Sequence, residues 1–304
     1  MEQKTLIVIV GATAVGKTEI SIKLAQYFDT EIISADARQW YKETNIGTAK
    51  PTQNEMQGII HHLVDCFEIE KSYNIGDFEK DALQILDEIF SRKNVAIVAG
   101  GSGLYVRALC EGIDEMPEIL PHLRQELNEN FEKNGLSDLL LQLKNLDETY
   151  YNQVDKANPQ RVIRALEVCL STGKPFSSFR KNTTIKRPFN IIKIGLSRPR
   201  EELYMRIDAR MDIMLAQGLL QEATNLYPQR HQNALQTVGY REIFDFLDEK
   251  YDWNECLRLL KRNSRHYAKR QLTWFQKDTQ IKWFAVEEFE EIKNYIDLVI
   301  NGEF

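Results

Sequence analysis

The sequence predicts an α/β fold, a parallel sheet flanked by helices and carrying an all-helical insertion, and three observations predict it. Continuous apolar runs at 6–10 and 95–99 each end in a glycine-rich turn followed by a helical pattern, as strand–turn–helix units of a buried parallel sheet do. No convincing strand lies between residues 112 and 188. Strand character then returns at 191–196, so the helical block reads as an insertion between strands of one sheet. The expected division is a core of 1–111 and 189–304 with an insertion of 112–188.

Taken in order, the first strand at 6–10 meets the glycine-rich stretch 11–18 and a helix at 19–28. A second short strand at 31–34 ends at Ala35-Asp36. Residues 42–58 are rich in loop signals, with Gly47 and Pro51 marking a turn. A third strand is expected at 62–65. Phe78, Ala82, Ile85, Leu86 and Ile89 recur at helical spacing across 74–91. The strand at 95–99 runs into Gly100-Gly101-Ser102-Gly103, and 104–109 reads as helix. In the insertion, 121–134, 136–146 and 160–171 read as helices. After residue 197 the helices are 201–217, 219–227, 240–249, 254–274 and 289–300, with a late strand at 281–284.

With 43% hydrophobic and 28% charged residues, the composition is that of a soluble globular chain. No apolar run approaches the roughly 20 residues of a membrane span, and the first strand starts too early for a signal peptide to precede it. Cys66, Cys110, Cys169 and Cys256 are scattered, without the close pairing of a zinc or redox motif. Reduced thiols and a cytoplasmic setting are expected.

Gly11-Ala12-Thr13-Ala14-Val15-Gly16-Lys17-Thr18 matches G-x-x-x-x-G-K-T in the context of strand, loop and helix. In that context backbone N–H groups and a helix N-terminus converge on phosphate oxygens. Lys17 reaches the terminal phosphates, and the Thr18 hydroxyl ligates Mg²⁺. The loop says that a di- or triphosphate is held, not what is done to it.

Asp36 lies at the carboxyl end of the second strand, the end outside which ligands bind in open α/β sheets. Three roles are open to its carboxylate: metal ligand, hydrogen-bond acceptor or general base. The fourth strand ends in Gly100-Gly101-Ser102-Gly103, with no acid to position a hydrolytic water. A phosphate-bearing substrate therefore fits the loop better than an energy source. Gly100 and Gly101 allow backbone to approach a ligand, and Ser102 supplies a hydroxyl.

Net charge is −6, yet eight Lys or Arg and one acid, Glu167, lie between Lys156 and Arg187. Six more and no acid lie between Arg258 and Arg270, with His266, Tyr267 and Trp274 nearby. Such runs are either solvated helix faces or local capture sites for a polyanion.

The loop at 11–18, Ile-Ser-Ala-Asp-Ala-Arg-Gln-Trp-Tyr at 33–41, Ile-Gly-Thr-Ala-Lys-Pro at 46–51 and Gly-Gly-Ser-Gly-Leu-Tyr at 100–105 form an ordered series. It continues with Asn-Pro-Gln-Arg-Val-Ile-Arg-Ala-Leu-Glu at 158–167, Val-Gly-Tyr-Arg at 238–241 and Ala-Lys-Arg-Gln-Leu-Thr-Trp-Phe at 268–275. Spread over nearly the whole chain, this series resembles that of the bacterial tRNA dimethylallyltransferases, also called tRNA isopentenyltransferases. The resemblance implies a P-loop NTPase-like core and a helical insertion that grips the anticodon stem-loop of tRNA. It implies transfer of a dimethylallyl group from dimethylallyl diphosphate to the exocyclic amine of the adenine 3′ of the anticodon.

By position in those motifs, Gly11, Ala12, Thr13, Ala14, Val15, Gly16, Lys17 and Thr18 hold the diphosphate, with Mg²⁺ at Thr18. The resemblance makes Asp36 the general base and Arg210 a catalytic aid on the diphosphate. It assigns tRNA contacts to Asp36, Ala37, Arg38 and Gln39, to Ser102 and Arg124, to Gln160, Arg161, Val162, Ile163 and Arg164, and to Gln236, Thr237, Val238, Gly239, Tyr240 and Arg241. Partners are then tRNA and dimethylallyl diphosphate, with no membrane, and a monomer is expected. Ala12 replaces a usual proline, Ala37 a usual serine and Ser102 a usual threonine, so only the hydroxyl at position 37 is lost. A small-molecule or nucleotide kinase, an RNA-binding protein with a vestigial loop, and a prenyltransferase for free adenine nucleotides are the alternatives. None of them uses the basic insertion and Asp36 together.

Overall fold

The computed structural model describes residues 3–181 and 184–303, in two compact units, Met1–Cys110 with Arg187–Phe304 and Glu111–Lys186. In the first unit the chain forms β1 (Thr5–Gly11), α1 (Lys17–Tyr27), β2 (Ile32–Ser34), α2 (Gln53–Met56), β3 (His61–His62), α3 (Ile75–Arg92), β4 (Val95–Gly100) and α4 (Gly103–Glu111). The second holds α5 (Leu123–Asn134), α6 (Leu136–Leu146), α7 (Glu148–Gln153) and α8 (Pro159–Thr172). The first unit resumes with β5 (Asn190–Ser197), α9 (Arg200–Ala216), α10 (Leu219–Leu226), α11 (Tyr240–Leu247), α12 (Trp253–Phe275), β6 (Lys282–Ala285) and α13 (Phe289–Asn301).

The strands form one parallel sheet in the order β3-β2-β4-β1-β5-β6. All seven residues of β1 are buried, because helices cover both faces of its central position. Alternate residues serve opposite layers. Leu6, Val8 and Val10 pack with Phe78, Leu86 and Ile89, whereas Ile7 and Ile9 pack with Leu24, Ile292 and Ile296. A third cluster joins Met211, Leu219, Tyr240 and Leu260. The second unit has its own core, with Leu139, Leu143, Ile163 and Leu166 among its fully buried residues.

Two short helices fall where sequence patterning shows only loop. In α2, Thr52 and Glu55 cap each other's backbone N–H groups, a reciprocal device that sustains a single turn. In α7, Asp147 accepts from the Tyr150 N–H at 2.9 Å. The third strand lies at His61–His62 rather than 62–65, since Leu63 and Asp65 take φ of 58° and 56°, outside the strand region. None of the four cysteines is in a disulfide, and three of them are buried.

Candidate functional site

The loop between β1 and α1 is held from behind. The Lys17 ammonium donates to the carbonyls of Gly11 at 3.1 Å and Ala12 at 2.8 Å. Arg198 donates to the Val15 carbonyl at 2.8 Å, and Arg206 to the Ala14 carbonyl at 3.0 Å. Cations thus take the loop's carbonyls, while α1 begins after Gly16, at φ 120°, without a side-chain cap. An uncapped helix start on a cation-pinned loop suits an anion.

Asp36 follows β2, half-buried, and its Oδ1 accepts from the Arg38 N–H at 3.1 Å. Burial pushes its carboxyl above the usual range, against the Arg38 N–H and the charges of Lys17, Arg38 and Arg210. Burial likewise pulls Lys17 down to about 8, with Asp36 opposing and Arg210 assisting. Arg210, on α9, reaches the Thr13 hydroxyl at 3.4 Å and the Ala49 carbonyl at 3.3 Å. Its pKa is lowered by burial, and Asp36 and Glu55 oppose that shift.

Lys17, Thr18, Asp36 and Arg210 line one cleft of about 560 Å³. A smaller hollow of about 90 Å³ shares Thr13, Asp36, Arg210 and Tyr267 with it and adds Ile207, Met211, Met214 and Val238. The wall formed by the loop after β1 and an apolar wall therefore meet at Asp36.

Gln271 is a site residue that sequence reasoning leaves without a role. Its Oε1 accepts from the Thr13 N–H at 2.8 Å, and its Nε2 donates to the Gly101 carbonyl at 3.0 Å. One side chain thereby ties the phosphate loop to the turn after β4. The space beside Gly100 and Gly101 is filled by Ala35 and the Gln271 amide, so these glycines admit the chain's own groups rather than a ligand. Gln271→Ala leaves the half-buried Thr13 N–H and the buried Gly101 carbonyl without this partner. It should lower the unfolding free energy by about 2 kcal/mol or more, read by urea denaturation.

The positions linked to tRNA are distributed unevenly. The Ser102 hydroxyl accepts from the Ala37 N–H at 3.1 Å and so braces the turn that carries Asp36. Arg38 donates to the Asn233 carbonyl at 2.8 Å. Gln39 donates to the carbonyls of Thr48 and Ala49 at 3.2 and 3.3 Å. Gln236 and Arg241 are exposed, Thr237 and Val238 half-buried and Gly239 buried.

In the second unit, Arg124 and Arg164 both pair with buried Glu167, and Arg124 also donates to Gln160 at 3.1 Å. Gln160 and Arg161 are exposed. The side chains of Val162, Ile163 and Tyr240 are fully buried in hydrophobic clusters. Those three side chains take inward faces, because a helix buries one face of any motif written along it.

The basic runs are also thinner than their counts. Arg258, Lys261 and Arg265 pair with Glu255, Asp212 and Asp208, and Arg187 is buried against Glu79. Lys269 and Arg270 remain at the exposed end of α12 beside Trp274, which is 40% exposed.

A family model described as IPP transferase matches residues 39–278. The tRNA dimethylallyltransferase of Cytophaga hutchinsonii is 53% identical over 294 residues, which is 97% of either chain. That of Christiangramia forsetii is 49% identical, over 97% of this chain and 98% of its own. A crystal structure of the tRNA isopentenylpyrophosphate transferase of Bacillus halodurans matches with a TM-score of 0.74 at 36% identity, covering 99% of this chain and 98% of that one. A eukaryotic dimethylallyltransferase acting on tRNA matches with a TM-score of 0.78 at 27% identity, covering 99% of this chain and 79% of that one. Most of the chain falls within the family model, and the match to these relatives is nearly end to end: the chain belongs to the tRNA dimethylallyltransferase family.

Proposed function

We propose that this chain transfers the dimethylallyl group from dimethylallyl diphosphate to the N6 amine of the adenine 3′ of a tRNA anticodon, with Asp36 as general base. The observation that carries the proposal is the single cleft shared by Lys17, Thr18, Asp36 and Arg210. The allylic C–O bond breaks, and its electron pair leaves with the diphosphate. The N6 lone pair forms the new C–N bond, and one N6 proton passes to Asp36. The adenine amine is a weak nucleophile, so a carboxylate within hydrogen-bond reach favours the step. Lys17, Arg210 and the loop N–H groups oppose the charge that develops on the leaving group.

Mg²⁺ fits this site through the exposed Thr18 hydroxyl at the start of α1, in a cleft that also holds the Asp36 and Glu55 carboxylates. Among the described residues no cluster of three or more His, Cys, Asp or Glu could hold a metal. The ion would take phosphate oxygens as ligands and supply further charge stabilisation to the leaving diphosphate.

Extruding one base from its stack costs a few kcal/mol, which phosphate contacts elsewhere can offset. Exposed Gln160 and Arg161, with Arg124 and Arg164 gathered on Glu167, support a grip on the anticodon stem-loop by the second unit. Lys269, Arg270 and Trp274 support a second RNA contact. No helix among the described residues is long and apolar enough to cross a membrane, and on this reading the protein works on tRNA in the cytoplasm as a monomer.

The test is incubation with dimethylallyl diphosphate, Mg²⁺ and unmodified tRNA, beside an ATP phosphotransfer control. Prenylated adenosine in digested tRNA is expected. Phosphotransfer without prenyl transfer would favour the kinase alternative and sink this one.

A further inference from the structure

We propose that Glu222 is a positioning residue that sets Arg210 for the leaving diphosphate, acting through the backbone of residues 45–49. This inference rests on the reading of Arg210 just given. Glu222 lies on α10, away from the phosphate loop, and none of the motifs points to it.

Its carboxylate gathers four donors. Oε2 accepts from the N–H groups of Asn45 at 3.1 Å and Ile46 at 2.8 Å. Oε1 accepts from the Gly47 N–H at 2.9 Å and the Tyr240 hydroxyl at 2.6 Å. Three successive backbone N–H groups form a concavity suited to an anion, and here the anion is a side chain of the same protein. Tyr240 is fully buried, and its ring occupies the place that a Cβ on Gly47 would need. Any side chain at position 47 would push the loop off the carboxylate.

Once those N–H groups face Glu222, the next carbonyls are committed elsewhere. The Thr48 and Ala49 carbonyls accept from Gln39 at 3.2 and 3.3 Å, and the Ala49 carbonyl also accepts from Arg210 at 3.3 Å. The other branch of the Arg210 fork reaches Thr13 in the phosphate loop. A guanidinium fork has fixed geometry, so an anchored Ala49 carbonyl fixes where the remaining N–H groups point. Glu222 thereby orients a cation it does not touch.

A double-mutant cycle tests this coupling. The full chain is assayed with dimethylallyl diphosphate, Mg²⁺ and tRNA, and inorganic diphosphate binding is measured by calorimetry as an activity-independent readout. Glu222→Ala should lower kcat/KM for the donor about tenfold, on the scale set by a misplaced catalytic group, and weaken diphosphate binding. In an Arg210→Ala background the same change should cost less than about twofold in both readouts.

Losses that multiply in the double variant overturn the proposal, because a merely structural role does not depend on Arg210. A Glu222→Ala protein as active as the unchanged one overturns it too. If Glu222→Ala fails to fold by circular dichroism, Glu222→Gln and Tyr240→Phe carry the same cycle. If the unchanged protein transfers no prenyl group, the proposed function fails separately, and the binding cycle still decides the role of Glu222.

Discussion

Asp36→Asn should lower turnover by roughly 10²-fold or more, the range for loss of a general base, while tRNA binding survives. Asparagine is close to isosteric and retains an oxygen for the Arg38 N–H, which Asp36 Oδ1 accepts at 3.1 Å. The substitution therefore removes basicity with little disturbance to the turn. Single-turnover prenylation, with tRNA affinity measured in parallel by filter binding, separates chemistry from capture. Unchanged turnover would remove Asp36 from the base role.

Lys17→Ala should cost about 10²- to 10³-fold in kcat, as loss of one group opposing the charge that develops in the transition state does. In the structure the ammonium rests on the Gly11 and Ala12 carbonyls. That places the ammonium at the mouth of the loop, where the donor's phosphate oxygens would lie on the proposed reading. Steady-state kinetics across donor concentrations checks the prediction. A change confined to KM would mean that Lys17 serves ground-state binding only.

The two groups also predict a bell-shaped dependence of kcat/KM on pH. Asp36 acts as a base only when ionised, and its raised pKa places the acid limb above that of an ordinary carboxylate. Lys17 loses its charge as pH rises through about 8, which sets the alkaline limb. Stability moves the other way over the alkaline window. Between about 8 and the ordinary lysine value of 10.5 the unfolded chain holds the Lys17 proton and the folded chain does not, so this group makes folding more favourable as pH rises. The kinetic profile, and the difference in thermal-melt profile between the unchanged protein and Lys17→Met, should show those opposite slopes between about pH 8 and 10.

The phosphate loop was legible because its pattern is local: glycines, lysine and threonine lie within eight consecutive residues flanked by a strand and a helix. The longer helices were legible for a similar reason, since apolar residues recur at helical spacing within most of them, whereas the short α2 and α7 were not. Sheet order was not, because placing β4 between β2 and β1 depends on crossover packing and not on any run of residues. Gln271 escaped because its partner Thr13 is distant in the chain. Glu222 escaped because it binds backbone N–H groups, which leave no side-chain signature at positions 45–47. Val162, Ile163 and Tyr240 show the converse. A run of motif residues along a helix includes the inward face, and those three belong to it.

The arginines behind the phosphate loop have a consequence for the end of the catalytic cycle. Arg198 and Arg206 fix the Val15 and Ala14 carbonyls before any ligand arrives, so the cradle pays little ordering entropy when it fills. Breaking the C–O bond leaves more charge on the diphosphate than its ester carried, so the cationic groups that favour the step hold the released product at least as firmly as the donor. Free diphosphate should therefore linger as a tight product inhibitor. The pace of repeated turnovers is then set by its departure, and a cell that hydrolyses diphosphate promptly keeps the enzyme cycling.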